Sequence, residues 1–275
     1  MKHRTLCVFI VAAVVALSAC SAFGEGVRLG MLTLARETVE KLGDGEISRT
    51  SLWKVGNIFG HIQGTSYRYY DNLASMILAL NAGEIDEMLA MKFVGEYVVN
   101  VNPEYKISCA IRVGGFNLAM GFRESDGTAL RDKFNAALSD MRKYGTLDAL
   151  TQMYCANPGR DNIASVRFEE FPDAETLRVA ITGDLPPVDY VGADGTPAGY
   201  NTAILAELGR RLRVNIQPVH VDTAARTAAL MSGRVDAVFW YQFIKGAQVQ
   251  QDAPEGVIFS EPYHEDNVFI HVSKK

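Results

Sequence analysis

The residues with the most chemistry to offer stand together in the stretch Leu177 to Tyr200, LRVAITGDLPPVDYVGADGTPAGY, which holds Asp184, Asp189 and Tyr190. Leu177 to Thr182 alternates and is rich in branched residues, as a buried strand is. Pro186-Pro187 stops it, because two successive prolines cannot donate to a ladder. Asp194-Gly195 is a turn signal, and Pro197 to Tyr200 leads into Asn201, a good N-cap, before the apolar run Ile204, Leu205, Leu208 and Leu212. The order is strand, polar-aromatic loop, helix. In an open α/β sheet the loop at a strand's carboxyl end is where ligands sit, because its side chains and free amides face the crevice. Asp184, Pro187 and Tyr190 are therefore candidate ligand-binding residues.

No catalytic set accompanies them. Ser260 lies in Phe-Ser-Glu-Pro-Tyr without a nucleophile elbow, and His61, His220, His264 and His271 show no partner pattern. No His or Cys pair stands at ligand spacing, so neither a metal nor a cofactor is expected. Asp86 and Asp236 each begin a strand after a helix cap, where a carboxylate bonds the turn. Asp184 and Glu261 remain as the carboxyl groups to consider for acid–base work.

The elements that must hold this loop come in the order of the chain. Lys2, His3 and Arg4 precede an apolar run from Leu6 to Leu17 and then Leu17-Ser18-Ala19-Cys20, the build of a secretory signal, too short to span a bilayer. Leu-Ser-Ala-Cys resembles a bacterial lipobox, which makes residues 1–19 a lipoprotein signal and Cys20 the lipidated residue; cleavage after Ala22 is the alternative. Both predict an exported protein, periplasmic or at the cell surface, the first with a lipid anchor in the membrane. Without residues 1–19 the chain keeps 25 basic against 32 acidic residues, and an acidic chain argues against a nucleic-acid partner. Of the four cysteines, Cys7 leaves with the signal, and Cys109 and Cys155 could pair in an oxidising compartment.

From Gly26 to Tyr154 a second α/β unit is expected: strands at Val27–Leu32, Tyr67–Tyr70 and Ile85–Ala90, a helix at Asn72–Asn81 ended by Gly83, and a helix-like segment from Arg36. Leu80-Asn81-Ala82-Gly83-Glu84-Ile85-Asp86 repeats as Leu230-Met231-Ser232-Gly233-Arg234-Val235-Asp236, 150 positions on. A repeated supersecondary unit suggests two lobes built alike.

The combination Pro186-Pro187, Tyr190, Gly195, Gly199-Tyr200, Ala229-Leu230, Ser232 to Ala237, Phe259-Ser260 and Pro262-Tyr263 resembles the first lobe of the type 2 periplasmic solute-binding proteins of ABC importers, family 3, in particular the polar amino-acid branch. Asp71 to Asp86, Val94, Glu96-Tyr97, Asn102-Pro103, Phe116 to Arg123, Leu130, Asn135 to Leu138 and Tyr144 to Leu147 resemble its second lobe and closing section. The resemblance implies an α/β, two-lobed type 2 periplasmic binding protein fold, each lobe a mixed sheet flanked by helices, circularly permuted. Residues 26–154 would be the family's second lobe, 155–176 a linker and 177–275 its first lobe. A truncated tandem of two modules would give the same lobes.

It further implies a small-molecule ligand captured between lobes that hinge shut and delivered to the membrane subunits of an ABC importer. Strand ends would wall the cleft: Asp184 to Tyr190, Trp240 and Tyr241, and Met91 with Lys92. Hydrophobic core is the competing reading of Trp240 and Tyr241. Two departures stand out. The segment Trp240 to Lys245 lacks the arginine that clasps an α-carboxylate in amino-acid binders, and Met91 stands where an aspartate receives the ammonium. Lys92, and Asp184 or Asp189, are the substitutes at hand. These departures keep open a ligand-sensing or scaffold lipoprotein with a degenerate pocket, and the fold also hosts enzymes such as dehydratases.

Overall fold

The computed structural model describes residues 26–32, 66–112, 116–159, 165–192, 194–244, 254–265 and 268–275. The signal segment with Cys20, the helix expected from Arg36, His61 and Lys245 lie outside them.

The chain begins with β1 (Arg28–Leu32), β2 (Ser66–Tyr70), α1 (Leu73–Ala82), β3 (Glu87–Met91), α2 (Lys92–Val101) and β4 (Tyr105–Arg112). Asn72 caps α1 by accepting a hydrogen bond from the Ser75 N–H, and Gly83 closes it at φ 71°, a left-handed conformation open to glycine without steric cost. Then come β5 (Phe116–Arg123), α3 (Thr128–Lys143), α4 (Thr146–Cys155), β6 (Thr176–Ile181), β7 (Asp184–Leu185), β8 (Asp189–Val191), β9 (Pro197–Ala198) and α5 (Tyr200–Leu212). The chain ends with β10 (Asn215–His220), α6 (Arg226–Met231), β11 (Ala237–Ile244), β12 (Val257–Phe259), β13 (His264–Glu265) and β14 (Val268–Lys274).

Two mixed sheets result. The first has the order β2-β1-β3-β14-β4 and the second β10-β6-β11-β5-β12, with β13 also pairing β5 and a small β7-β8-β9 sheet beside them. In each, three parallel strands are followed by one antiparallel strand, β14 in the first sheet and β5 in the second. That strand comes from the other part of the chain. The sheets therefore do not follow the division into 26–154 and 177–275: β5 lies in the second sheet, α3 and α4 pack on α5, and β14 lies in the first sheet. Leu118, Ala119, Met120 and Phe122 of β5 are fully buried, which an edge or a solvent-facing strand would not allow.

The repeat read in the sequence is a repeat of contacts. Asp86 accepts from the Arg28 N–H at 2.8 Å and its guanidinium at 2.6 Å, and its own N–H donates to the Arg28 carbonyl. Asp236 does the same with Arg178, at 2.9 and 2.7 Å. Both pairs span 58 positions, and both tie β3 or β11 to the first strand of its own sheet. Neither aspartate belongs to a carboxylate pair.

One expectation is corrected, and one pairing left open by the sequence is decided. Helix α5 is capped by Gly199 at φ 105° and starts at Tyr200; Asn201 lies inside it, its amide donating to Asp189 at 3.0 Å. A side chain at Gly199 would meet the Val188 carbonyl at 2.5 Å, so the cap must be glycine. The Cys109–Cys155 pairing is not formed. Cys109 sits in β4 of the first sheet, and Cys155 is a buried thiol at the end of α4.

Asp236→Ala is expected to lower stability by about 1–3 kcal/mol, the cost of removing one partner of a charged hydrogen-bonded pair. Asp86→Ala should cost less, because its carboxylate is 42 % exposed against 20 % for Asp236. Chemical unfolding of the two variants checks the order.

Candidate functional site

The carboxyl ends of both sets of parallel strands converge on one cavity. From the first sheet come Leu32, the last residue of β1, and Asp71, Asn72 and Leu73, which follow β2. From the second come Thr182, Asp184 and Leu185 after β6, Thr223 after β10, and Trp240 in β11. This is the crevice position at which open α/β sheets bind ligands. Its volume is about 10 Å³, room for roughly one water.

Trp240 is brought there by a distortion. The β11–β5 register shifts between Val238 and Tyr241, and Trp240 takes φ 75°, a conformation that costs a non-glycine residue about 1–3 kcal/mol. Arg226 holds it: its guanidinium donates to the Trp240 carbonyl and lies 4.4 Å over the Tyr241 ring. The Trp240 side chain is 1 % exposed, and its indole Nε1 finds no hydrogen-bond partner among the described residues.

Asp184 and Asp189 are adjacent carboxyl groups in different settings. Asp189 is completely buried and accepts from the Thr182 hydroxyl, the Gly183 N–H at 2.7 Å and Asn201. Burial pushes its carboxyl above the usual carboxylate range, against the pull of these donors. Asp184 faces the cavity and is more exposed. Its carboxyl is raised first by desolvation and next by the charge of Asp189, with His220 acting in the opposite sense.

The other residues named from the sequence lie outside the cavity lining. Pro187 is buried behind its cis bond to Pro186, and Tyr190 is half-buried in β8. Tyr241 packs against Gly121, and its hydroxyl lies 3.2 Å from that of Thr227. Met91 is 4 % exposed at the end of β3, and the Lys92 ammonium donates to Glu96 at 2.7 Å. Glu261 is exposed beside α3, its N–H donating to Asn135.

The segment that supplies the second wall also has recognisable relatives. Residues 177–275 match the bacterial extracellular solute-binding proteins, family 3. The match to this solute-binding family thus includes Thr182, Asp184, Leu185, Thr223 and Trp240, and the relatives of this segment are ligand binders. Solved structures with a similar chain path are remote. The alkanesulfonate-binding protein SsuA from Xanthomonas axonopodis pv. citri is 11 % identical with a TM-score of 0.40, over 93 % of this chain and 67 % of that one. The ligand-binding component of an ABC-type import system from Staphylococcus aureus is 10 % identical with a TM-score of 0.45, over 91 % and 66 %. An ancestral arginine-binding protein is 14 % identical with a TM-score of 0.42, over 92 % and 85 %. The chain thus spans about two thirds of the first two. No curated protein sequence matches it.

Sequence reasoning missed Asp71, Asn72, Leu32 and Thr223. The signal that finds them is the rule applied to Asp184: each sits at or just after the carboxyl end of a parallel strand. In the sequence Asp71-Asn72 reads only as a helix start.

His264 links α2, which packs on the first sheet, with α5, which packs on the second. Its ring meets Phe93 of α2 and Tyr200 of α5 edge-on, both at 5.2 Å between centroids, and its Nδ1 is 3.2 Å from the Tyr200 hydroxyl. Burial disfavours the imidazolium and pulls the pKa down to about 4. A folded pKa below the unfolded value near 6.5 means that the unfolded chain takes up the proton first. The stabilisation is complete above pH 6.5 and is lost as pH falls from there to 4. The expected loss is on the order of 2–3 kcal/mol. Unfolding free energies of wild type and His264→Gln across that range check it, the variant giving the flatter profile.

Proposed function

We propose that the chain is an exported solute-binding protein that captures a small polar solute, an amino acid or a derivative, in the cleft between its lobes and delivers it to an ABC importer. The observation that carries this reading is a cavity to which strand ends from both sheets contribute, with Asp71 and Leu73 on one side and Asp184 and Trp240 on the other. Closure of two such walls buries a ligand and alters the outer face a transporter meets. The family match of residues 177–275 supports it. So does a strand order that places the closing strand β5 and helices α3 and α4 with the later lobe, as a circularly permuted chain requires. Cys20 is the proposed lipid anchor, and the proposed binding wall extends from Asp184 and Trp240 to Pro187, Tyr190, Met91 and Lys92, while Tyr241 backs it from the core.

A second reading has one observation in its favour. The cavity holds only about 10 Å³, as expected of a sensing or scaffold lipoprotein whose pocket has closed. Thermal unfolding of the purified chain with a panel of amino acids, peptides, amines and sugars separates the two. A solute that binds the native state adds roughly 2.7 kcal/mol at a hundred times its Kd, and Trp240→Ala should abolish that gain. A folded chain whose midpoint no solute moves supports the scaffold.

A further inference from the structure

Helix α2 is engaged on two faces. Gly95 lies against its own sheet, where a side chain would meet Ile270 and Val272 of β14 at 2.5 and 3.2 Å, and the buried Val94 and Val98 share that face by helical spacing. Phe93, Tyr97, Asn100 and Val101 form a second stripe at the same spacing, and this one meets the later lobe. Phe93 touches His264 of β13. Further along the helix the Asn100 amide donates to the Pro158 carbonyl at 2.8 Å. Gly159 sits so close that a side chain there would meet Val101 at 2.8 Å and Tyr97 at 3.1 Å.

Pro158 and Gly159 belong to the connection from α4 to β6, and α4 packs on α3 and α5. Its later residues reach the loop that carries the candidate site: the Val166 N–H donates to the Pro197 carbonyl of β9 at 3.1 Å, and β9 pairs β8 at Tyr190. The connection is thus bonded to α2 of the first lobe and to β9 of the second. Because it is held at both ends, it loses little entropy when it docks.

We propose that this connection is a latch: Pro158 and Gly159, gripped by Asn100, Tyr97 and Val101, hold the two lobes in their closed arrangement and set how often the cavity opens. The crossings between the sheets leave the second sheet side by side, since Glu265 at the end of β13 pairs with Asn117 in β5. Phe93 meets His264 beside them, whereas Asn100 lies about 10 Å further along α2 at roughly 1.5 Å per residue. A turn of the lobes about the crossings carries Asn100 away from Pro158, and a hydrogen bond does not survive such a displacement. The latch goes beyond the solute-binding reading and does not depend on which solute enters.

Trp240 reads the opening. It is 1 % exposed, lines the cavity and is one of two tryptophans in the chain, so in a Trp53→Phe background acrylamide quenching reports on it alone. Quenching in that background is expected to be weak. Asn100→Leu and Asn100→Asp, neither of which can donate to the Pro158 carbonyl, should each raise the Stern–Volmer constant about 2-fold or more, and small-angle scattering should show a larger radius of gyration. Asn102→Ala is the control, because the Asn102 amide donates to the Val98 carbonyl at 2.8 Å within the same helix. Unfolding midpoints show that each variant is folded. Quenching unchanged in both Asn100 variants overturns the latch. So does an equal rise in Asn102→Ala, which marks a loosening of α2 itself, or a Trp240 as accessible as free indole before Asn100 is altered. No solute is needed for any of these outcomes, so the solute-binding reading stands or falls separately on its own panel.

Discussion

Each sheet is completed by a strand that arrives from the other part of the chain, and the rest of the molecule depends on that exchange. Strand β14 lies between β3 and β4, and β5 lies between β11 and β12, each antiparallel to its neighbours. Both are interior strands. Their backbone groups are paired on two sides, and β5 buries Leu118 through Met120 and Phe122, so neither half can form its sheet alone without exposing two open edges. The exchange gives two crossings between the sheets, after β4 and after β13.

What the exchange positions is a cleft walled by the carboxyl ends of parallel strands. Parallel strands of one sheet must all end on the same side, so residues far apart in sequence, such as Leu32, Asp71, Thr182 and Thr223, come to one place without any local signal. Part of the fold's stability is given up there. Trp240 sits at φ 75° with an unsatisfied indole nitrogen, and Asp184 lies close enough to the buried Asp189 to feel its charge. Arg226 offsets some of this by bonding the Trp240 carbonyl.

Much of the secondary structure was legible from the sequence. The helix after Asn72, its glycine stop, the strand that ends before Gly183, and the 150-position repeat all rest on local chemistry: an N-cap, a left-handed glycine and alternating apolar residues. The repeat proved informative to the level of hydrogen bonds, since Asp86–Arg28 and Asp236–Arg178 make the same bonds at equal spacing. Asn201 was misread for an equally local reason. It has the right side chain for a cap, but the helix already starts at Tyr200, and inside it the Asn201 amide donates to the Asp189 carboxylate of β8 instead.

The site was legible only in part. Asp184 and Trp240 follow from strand ends and line the cavity, whereas Tyr241, one residue from Trp240, faces Gly121 and the core behind it. A bulge decides which of the two neighbours reaches the cleft, and a bulge is a property of the pairing between β11 and β5, not of β11. The sequence by itself determined the elements, the repeated unit and the family likeness of residues 177–275, because caps, turns and periodicity act over a few residues. Only the tertiary structure decided which strands complete which sheet, that Asp71 and Asp184 line one cavity, and that Lys92 is taken by Glu96, because pairing, register and charge neighbourhood are fixed by segments that meet only when the chain is folded.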